Sequence, residues 1–138
     1  MNPLWQDTLL LTLLHEGGLF RLGSRFAQQN AHCANQQWSQ RIQRKPVSFL
    51  RDYDLLFRQV THGLISKGYA FSAEHPHQTL KQLLLAYGET IADIDNMIAC
   101  RHALKYSQIS HANPSAIATL QRLLQVTAIQ TQAYVTAV

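Results

Sequence analysis

The chain has 138 residues, a length that fits one domain, and its 46% hydrophobic and 14% charged residues argue against a highly charged disordered chain. The formal net charge of +4 at pH 7 comes from the first half, because residues 1–69 hold eight Lys or Arg against four Asp or Glu. No apolar run approaches the roughly 18 residues of a membrane span, and no basic signal-peptide start is present, so we expect a cytoplasmic protein without membrane contact.

Residues 1–47 are predicted to form N-terminal helices and a Gln-rich connection. A first helix runs through Leu14 and is interrupted by a glycine pair. A second helical stretch is predicted from Leu19 towards Asn30. The Gln- and Asn-rich residues 28–43 indicate either a weak helix or a long loop anchored by Trp38.

Residues 48–138 have a firm helical pattern. Ser48 is a good N-cap, and the apolar residues from Phe49 to Ile65 recur at intervals of three and four before Gly68 ends the helix. The later helices are predicted to begin at Pro76, Thr90 and Asn113. Short connections favour antiparallel neighbours. The whole chain, 1–138, is therefore predicted to be one all-α domain, an antiparallel bundle of about five helices.

One cation interrupts an apolar stripe in the helix predicted after Thr90. Arg101 falls on the same face as Ile94 and Met97. A guanidinium buried alone costs several kcal/mol, so it must meet a carboxylate such as Asp93 or Asp95, helix-end carbonyls, a wet groove or a subunit interface. The alternative is an arginine whose stem packs on the core while its head reaches water.

The chain from Phe49 to about Tyr134 resembles the HEPN superfamily of small helical bundles. The resemblance rests on the order and spacing of Ser66-Lys67-Gly68, the run from His75 through Pro76 and His77 to Leu84, the run from Arg101 to Tyr106, and Asn113-Pro114-Ser115. It implies a four-helix up-down core in residues 48–138 and a homodimer. Many members are metal-independent ribonucleases with an Arg, a polar residue and a His four to six positions beyond the Arg. Others lack that His and serve as partners of nucleotidyltransferase domains in toxin–antitoxin-like pairs, or bind RNA.

In this chain Arg101 and the polar His102 match the first two positions of that motif, and Tyr106 stands where the nuclease has His. With an ordinary pKa near 10, a tyrosine is a poor base at neutral pH. The resemblance therefore implies a non-catalytic, dimeric binding module, with Arg101 and Tyr106 in a groove that meets RNA or a nucleotidyltransferase-type protein. The alternative is a metal-independent endoribonuclease in which Arg101 stabilises phosphate charge and His102 or His111 transfers protons; His102 and Tyr106 then join Arg101 as catalytic candidates.

Further binding candidates are His75 and His77, which flank Pro76 at a helix start where an anion could meet free N–H groups; capping or simple exposure is the other interpretation. A basic stretch without acids suits phosphates or an acidic partner, or is a solvated face. It comprises Arg21, Arg25, Arg41, Arg44 and Lys45.

No metal-ligand motif or P-loop is present, so we expect no metal and no cofactor. Both cysteines are expected to be buried.

Overall fold

The structure is a computed structural model that describes the backbone of residues 5–136 and the side chains of residues 5–128. Its elements in chain order are α1 (Asp7–His15), β1 (Leu19–Arg21), α2 (Arg25–Gln43), α3 (Phe49–Ser66), β2 (Tyr69–Phe71), α4 (Pro76–Leu84), a 3-10 turn (Leu85–Tyr87), α5 (Ile91–Lys105) and α6 (Pro114–Thr136). The described part of the chain is thus mostly helical, and the predicted all-α class is confirmed at that level.

Side-chain caps fix the starts of α3, α5 and α6 where the sequence predicted them. The Ser48 hydroxyl accepts the backbone N–H of the third residue of the first turn at 3.1 Å, and the Thr90 hydroxyl does the same at 3.1 Å. The Asn113 side-chain oxygen accepts a backbone N–H at 2.8 Å at the start of α6. Each cap satisfies a donor that the helix cannot pair internally. At the other end of α3, Gly68 has φ +87°, the left-handed conformation that glycine adopts readily.

The helix predicted from Leu19 to Asn30 is wrong in its first part. Residues 19–21 form β1, which pairs antiparallel with β2, with Leu19 opposite Phe71 and Arg21 opposite Tyr69. A new helix begins only after Ser24, whose hydroxyl accepts the Ala27 N–H at 3.0 Å. That helix, α2, continues through the Gln-rich residues 28–43, so the weak-helix interpretation is the correct one.

The core lies around α3, which packs against α2, α5, α6 and β2. Its fully buried large side chains include Trp5, Leu10, Tyr53, Leu56, Leu64, Leu80, Leu83, Leu84, Ile94, Met97, Leu120 and Leu123. Each such apolar side chain contributes about 2 kcal/mol in transfer free energy. The Trp5 indole N–H is satisfied by the Leu83 carbonyl at 3.1 Å, so even the polar atom of the largest core residue is paired.

The expectation that both cysteines are buried is half correct. Cys100 is buried in α5, whereas Cys33 is exposed on α2, a helix that packs mainly against α3 and leaves its other faces in water. Within residues 5–136, no helix combines the length and the hydropathy that crossing a bilayer requires.

Candidate functional site

The C-terminal half of α2 is held alongside α3 by a pair of hydrogen bonds. The Asn35 amide donates to the backbone carbonyl of Arg58 at 3.0 Å, and the Arg58 guanidinium donates back to the Asn35 side-chain oxygen at 3.3 Å. Asn35 is buried, as is Ile42 two turns later. This contact brings the end of α2 beside the face of α3 that carries Asp54 and Phe57, which are neighbours at helical spacing.

A groove with a volume of about 250 Å³ opens beside the middle of α3, between the end of α2, the start of α4 and the last turns of α5. It is lined by Trp38, Ile42, Lys45, Asp54, Phe57, Arg58, His77 and Arg101. The first three residues come from α2 and the turn after it, the next three from α3, His77 from the first turn of α4, and Arg101 from α5. Four segments distant in sequence thus meet at one surface.

Arg101 lies half-buried in this groove rather than in an ion pair. Its guanidinium carbon is 5.2 Å from the centroid of the Tyr53 ring, and in the described part of the chain no carboxylate forms a salt bridge with it. Asp95, a partner considered from the sequence, pairs with Lys81 at 2.7 Å instead. The guanidinium therefore meets an aromatic face and a wet groove, a combination that offsets part of its desolvation.

Among the described residues, the groove is lined by three lysine or arginine side chains and by a single carboxylate. Lys45 and Arg101 have no salt bridge among the described residues, and Asp54 forms none with Arg58 within 4.0 Å. Burial lowers the pKa of Arg58, with the Asp54 charge opposing that change. The surplus of positive charge, carried by an exposed lysine and two half-buried arginines, favours an anion in the groove.

Aromatic rings lie between these cations. The Arg58 guanidinium carbon is 5.2 Å from the Phe57 ring centroid and 5.7 Å from that of Trp38. Arg41 approaches the same Trp38 ring at 5.1 Å. Trp38 is 51% exposed, so the largest aromatic residue of α2 offers much of its surface to solvent. Arginine and aromatic groups interleaved in this way are typical of surfaces that bind single-stranded nucleic acid.

His77 is the histidine that faces Arg101. Its Nδ1 lies 3.0 Å from the Tyr53 hydroxyl oxygen, so one of the two groups donates a hydrogen bond to the other. Burial lowers the pKa of His77, and the charges of Arg101 and Lys105 lower it further, against a smaller opposing effect of Asp54. Burial raises the pKa of Tyr53. Both groups are therefore neutral at pH 7.

The other candidates at the end of α5 lie outside the groove. Tyr106 follows the last residue of α5 and is 59% exposed, with its ring 4.7 Å from that of His102. His102, His111 and His75 are exposed as well, and none of them lines the groove. Of the histidines and the tyrosine proposed as binding or catalytic groups, the structure brings only His77 into the groove with Arg101.

The basic stretch divides into two groups. Arg21 lies on β1, 5.5 Å from the Tyr69 ring, and Arg25 begins α2. Arg41, Arg44 and Lys45 lie at the other end of this 19-residue helix, about 28 Å away at 1.5 Å per residue. The second group adjoins the groove, through Lys45 in its lining and Arg41 on Trp38.

Sequence reasoning missed Asp54, Phe57 and Arg58, and treated Trp38 only as an anchor. The amphipathic pattern of α3 places the first three at the edge of its apolar stripe, which is where a helix borders a groove. Among the described residues, no cluster of three or more His, Cys, Asp or Glu side chains could hold a metal ion. The groups that the groove presents to a ligand are therefore three cations, aromatic rings, one carboxylate and the His77 imidazole.

Comparisons of the chain with protein-family models, with curated proteins and with solved structures gave no match. The function of the groove must therefore be inferred from the residues that line it.

Proposed function

We propose that this chain is a HEPN-like, non-catalytic binding module and that the groove holds single-stranded RNA. The observation that carries the proposal is the Arg101 guanidinium, half-buried and free of any salt bridge among the described residues, in a groove with Lys45 and Arg58. A chain that needed this cation for stability alone would be expected to pair it with a carboxylate. Phosphate oxygens supply the missing negative charge.

RNA suits the groove better than a simple acidic peptide because the cations alternate with aromatic rings. Trp38, which is 51% exposed, offers a surface on which a base can stack, at about 1–3 kcal/mol per base, while the arginines neutralise phosphates. A volume of about 250 Å³ accommodates a piece of ligand no larger than about one nucleotide. A single strand can place one nucleotide there, whereas a duplex presents its bases already paired and stacked.

The test is binding of a fluorescently labelled single-stranded RNA of about a dozen nucleotides, measured by anisotropy over a range of salt concentrations. Arg101→Gln keeps a polar side chain of similar reach and removes the charge. We expect an affinity loss of about tenfold and a salt slope reduced by about 0.7, the contribution of one phosphate contact to a single strand.

The matched control is Arg25→Gln, which removes an exposed arginine of the same basic stretch at the far end of α2. It should leave both affinity and salt slope close to those of the unchanged protein. Equal losses in the two variants would indicate nonspecific attraction to a basic protein, and the groove would lose its assigned role.

The HEPN resemblance also implies a dimer and leaves a nucleotidyltransferase-type protein as the competing partner. Gel filtration with light scattering tests the dimer, and a strictly monomeric species at micromolar concentration would count against it. If the protein binds no RNA in the anisotropy assay, the protein-partner alternative becomes the better hypothesis. Arg101 would then bind an acidic surface of that partner instead of a phosphate.

One observation favours a second function, the metal-independent endoribonuclease. His77 is neutral at pH 7 and shares the groove with Arg101, so a general base and a phosphate-binding cation occur together. His102 and His111, the candidates from the sequence, lie outside the groove. A nuclease should cleave RNA in EDTA and lose that activity in Arg101→Ala. If the wild type and this variant leave varied RNAs equally intact, the enzyme hypothesis fails.

A further inference from the structure

We propose that His77 takes up a proton when a phosphate group enters the groove, so that the ligand is bound more tightly as the pH falls from about 8 to about 6. The inference rests on the proposed function for the identity of the ligand as RNA. It adds to that function the residue that titrates, His77, and the direction in which the affinity for the ligand changes with pH.

The first step concerns where His77 lies. It belongs to the first turn of α4 and faces the groove, half-buried, with Nδ1 3.0 Å from the Tyr53 hydroxyl. Its ring also lies 5.8 Å from the Tyr53 ring and 5.7 Å from the Phe57 ring, between centroids. The imidazole is thus fixed by contacts from α3, and it lines the same groove as the cations that would bind a phosphate.

The second step concerns the charges around the imidazole. The imidazole is affected by the charges of Arg101 and Lys105 from α5 and of Asp54 from α3, and it contacts the Tyr53 hydroxyl. Two further cations, Arg58 from α3 and Lys45 after α2, line the same groove. The lysines and arginines outnumber the one carboxylate, and Tyr53 stays neutral because burial raises its pKa. Burial is the main reason that the pKa of His77 lies below its ordinary value of 6.5, and the positive charges of Arg101 and Lys105 lower it further.

The third step is the effect of a ligand. A phosphodiester or another anion among Arg101, Arg58 and Lys45 offsets the part of the pKa lowering that comes from the positive charges around His77. An opposite charge within a few ångström favours the protonated imidazole, and a protonated ring gains a second donor for phosphate oxygens. Binding and protonation then support each other, because a proton that binds the complex better than the free protein strengthens the complex by the same factor.

Proton balance sets the size of the effect. One proton taken up per ligand changes the affinity by at most tenfold per pH unit. The change occurs only between the pKa of His77 in the free protein and its pKa in the complex. We expect about tenfold tighter RNA binding at pH 6 than at pH 8 in the unchanged protein, at constant ionic strength. The phosphodiesters keep a constant charge in this range, so the ligand's own titration does not contribute.

The test compares His77→Gln with His15→Gln in the anisotropy assay at both pH values. Glutamine can still hydrogen-bond the Tyr53 hydroxyl, and His15 is an exposed histidine at the end of α1 that does not line the groove. The expected result is that His77→Gln loses most of the pH dependence while His15→Gln keeps all of it. Equal pH dependence in His77→Gln and the unchanged protein, or none in the unchanged protein, would overturn the inference.

A second measurement separates this inference from the RNA proposal. NMR titration of the His77 ring in sodium chloride and in sodium sulfate at equal ionic strength reports its pKa directly, with an anion whose charge is constant over the range. We expect sulfate to raise that pKa. If it does so while no RNA binds at any pH, the proton-linked anion site stands and the RNA function fails. A His77 pKa that neither sulfate nor RNA moves would refute the inference even if RNA binds.

Discussion

Replacing Arg101 with methionine should separate stability from binding. Methionine keeps an unbranched apolar stem on the stripe with Ile94 and Met97, and it removes the charge. The protein loses the contact between the guanidinium and the Tyr53 ring at 5.2 Å, which is worth about 0.5–1 kcal/mol near the surface. It also loses the repulsion between Arg101 and its neighbouring cations.

That repulsion is of similar size. Two like charges about 8 Å apart at an effective dielectric constant between about 20 and 80 repel by about 0.5–2 kcal/mol before salt screening. Arg101 faces Lys45 and Arg58 against the single carboxylate of Asp54, so about one such repulsion remains uncompensated. The free energy of unfolding of Arg101→Met should therefore change by less than about 1 kcal/mol, in the stabilising direction.

The assays are urea unfolding followed by circular dichroism and RNA binding by anisotropy, both with Arg25→Met as control. The control should change the unfolding free energy by less than about 0.5 kcal/mol and leave RNA binding intact. Arg101→Met should bind RNA about tenfold more weakly, a loss of about 1.4 kcal/mol. If instead it unfolds with a loss of more than about 1.5 kcal/mol, Arg101 is a structural residue held by Tyr53, and the reasoning behind the groove is refuted.

Two further predictions concern stability alone. Burial lowers the pKa of both His32 and His62, whose rings lie 4.8 Å apart. The unfolded chain therefore binds more protons than the folded one below about pH 6.5. We expect the free energy of unfolding to fall as the pH drops below that value. His62→Phe should weaken this pH dependence in urea unfolding, and an unchanged slope would show that other groups cause it. A Cβ on Gly18 would lie 2.5 Å from the Thr79 hydroxyl, so Gly18→Ala should cost about 1–3 kcal/mol. Gly23→Ala, with open space around it, should cost nothing measurable, and thermal melts of the two variants compare them. Similar losses in both would contradict the steric argument.

Much of the helical framework could be predicted because its signals are local. The caps at Ser48, Thr90 and Asn113 depend on residues within one turn, and the amphipathic stripe of α3 needs no knowledge of the partner helices. The two-stranded antiparallel sheet could not be predicted in this way. Each strand has three residues, too few for an alternating pattern, and residues 19–21 pair with residues 69–71 across the whole of α2 and α3.

The candidate site shows the same division between local and distant information. Arg101 could be singled out because a cation on an apolar stripe is visible within one helix. Tyr106 lies only five residues further along, yet α5 ends before it and its side chain turns to solvent. The sequence singled out His77 only for its place at a helix start and Trp38 only as an anchor, because their place in the groove depends on α2 ending and α4 beginning beside the same face of α3.

The sequence by itself determined a mostly helical chain, the starts of its later helices and one arginine out of place, since all three follow from residues within a few turns of each other. Only the tertiary structure decided what surrounds that arginine. The hydrogen bonds between Asn35 and Arg58 join α2 to α3, and with them the cations and the aromatic rings come to border one groove. Long-range packing, which no local pattern encodes, therefore selected a wet cationic groove over a buried ion pair.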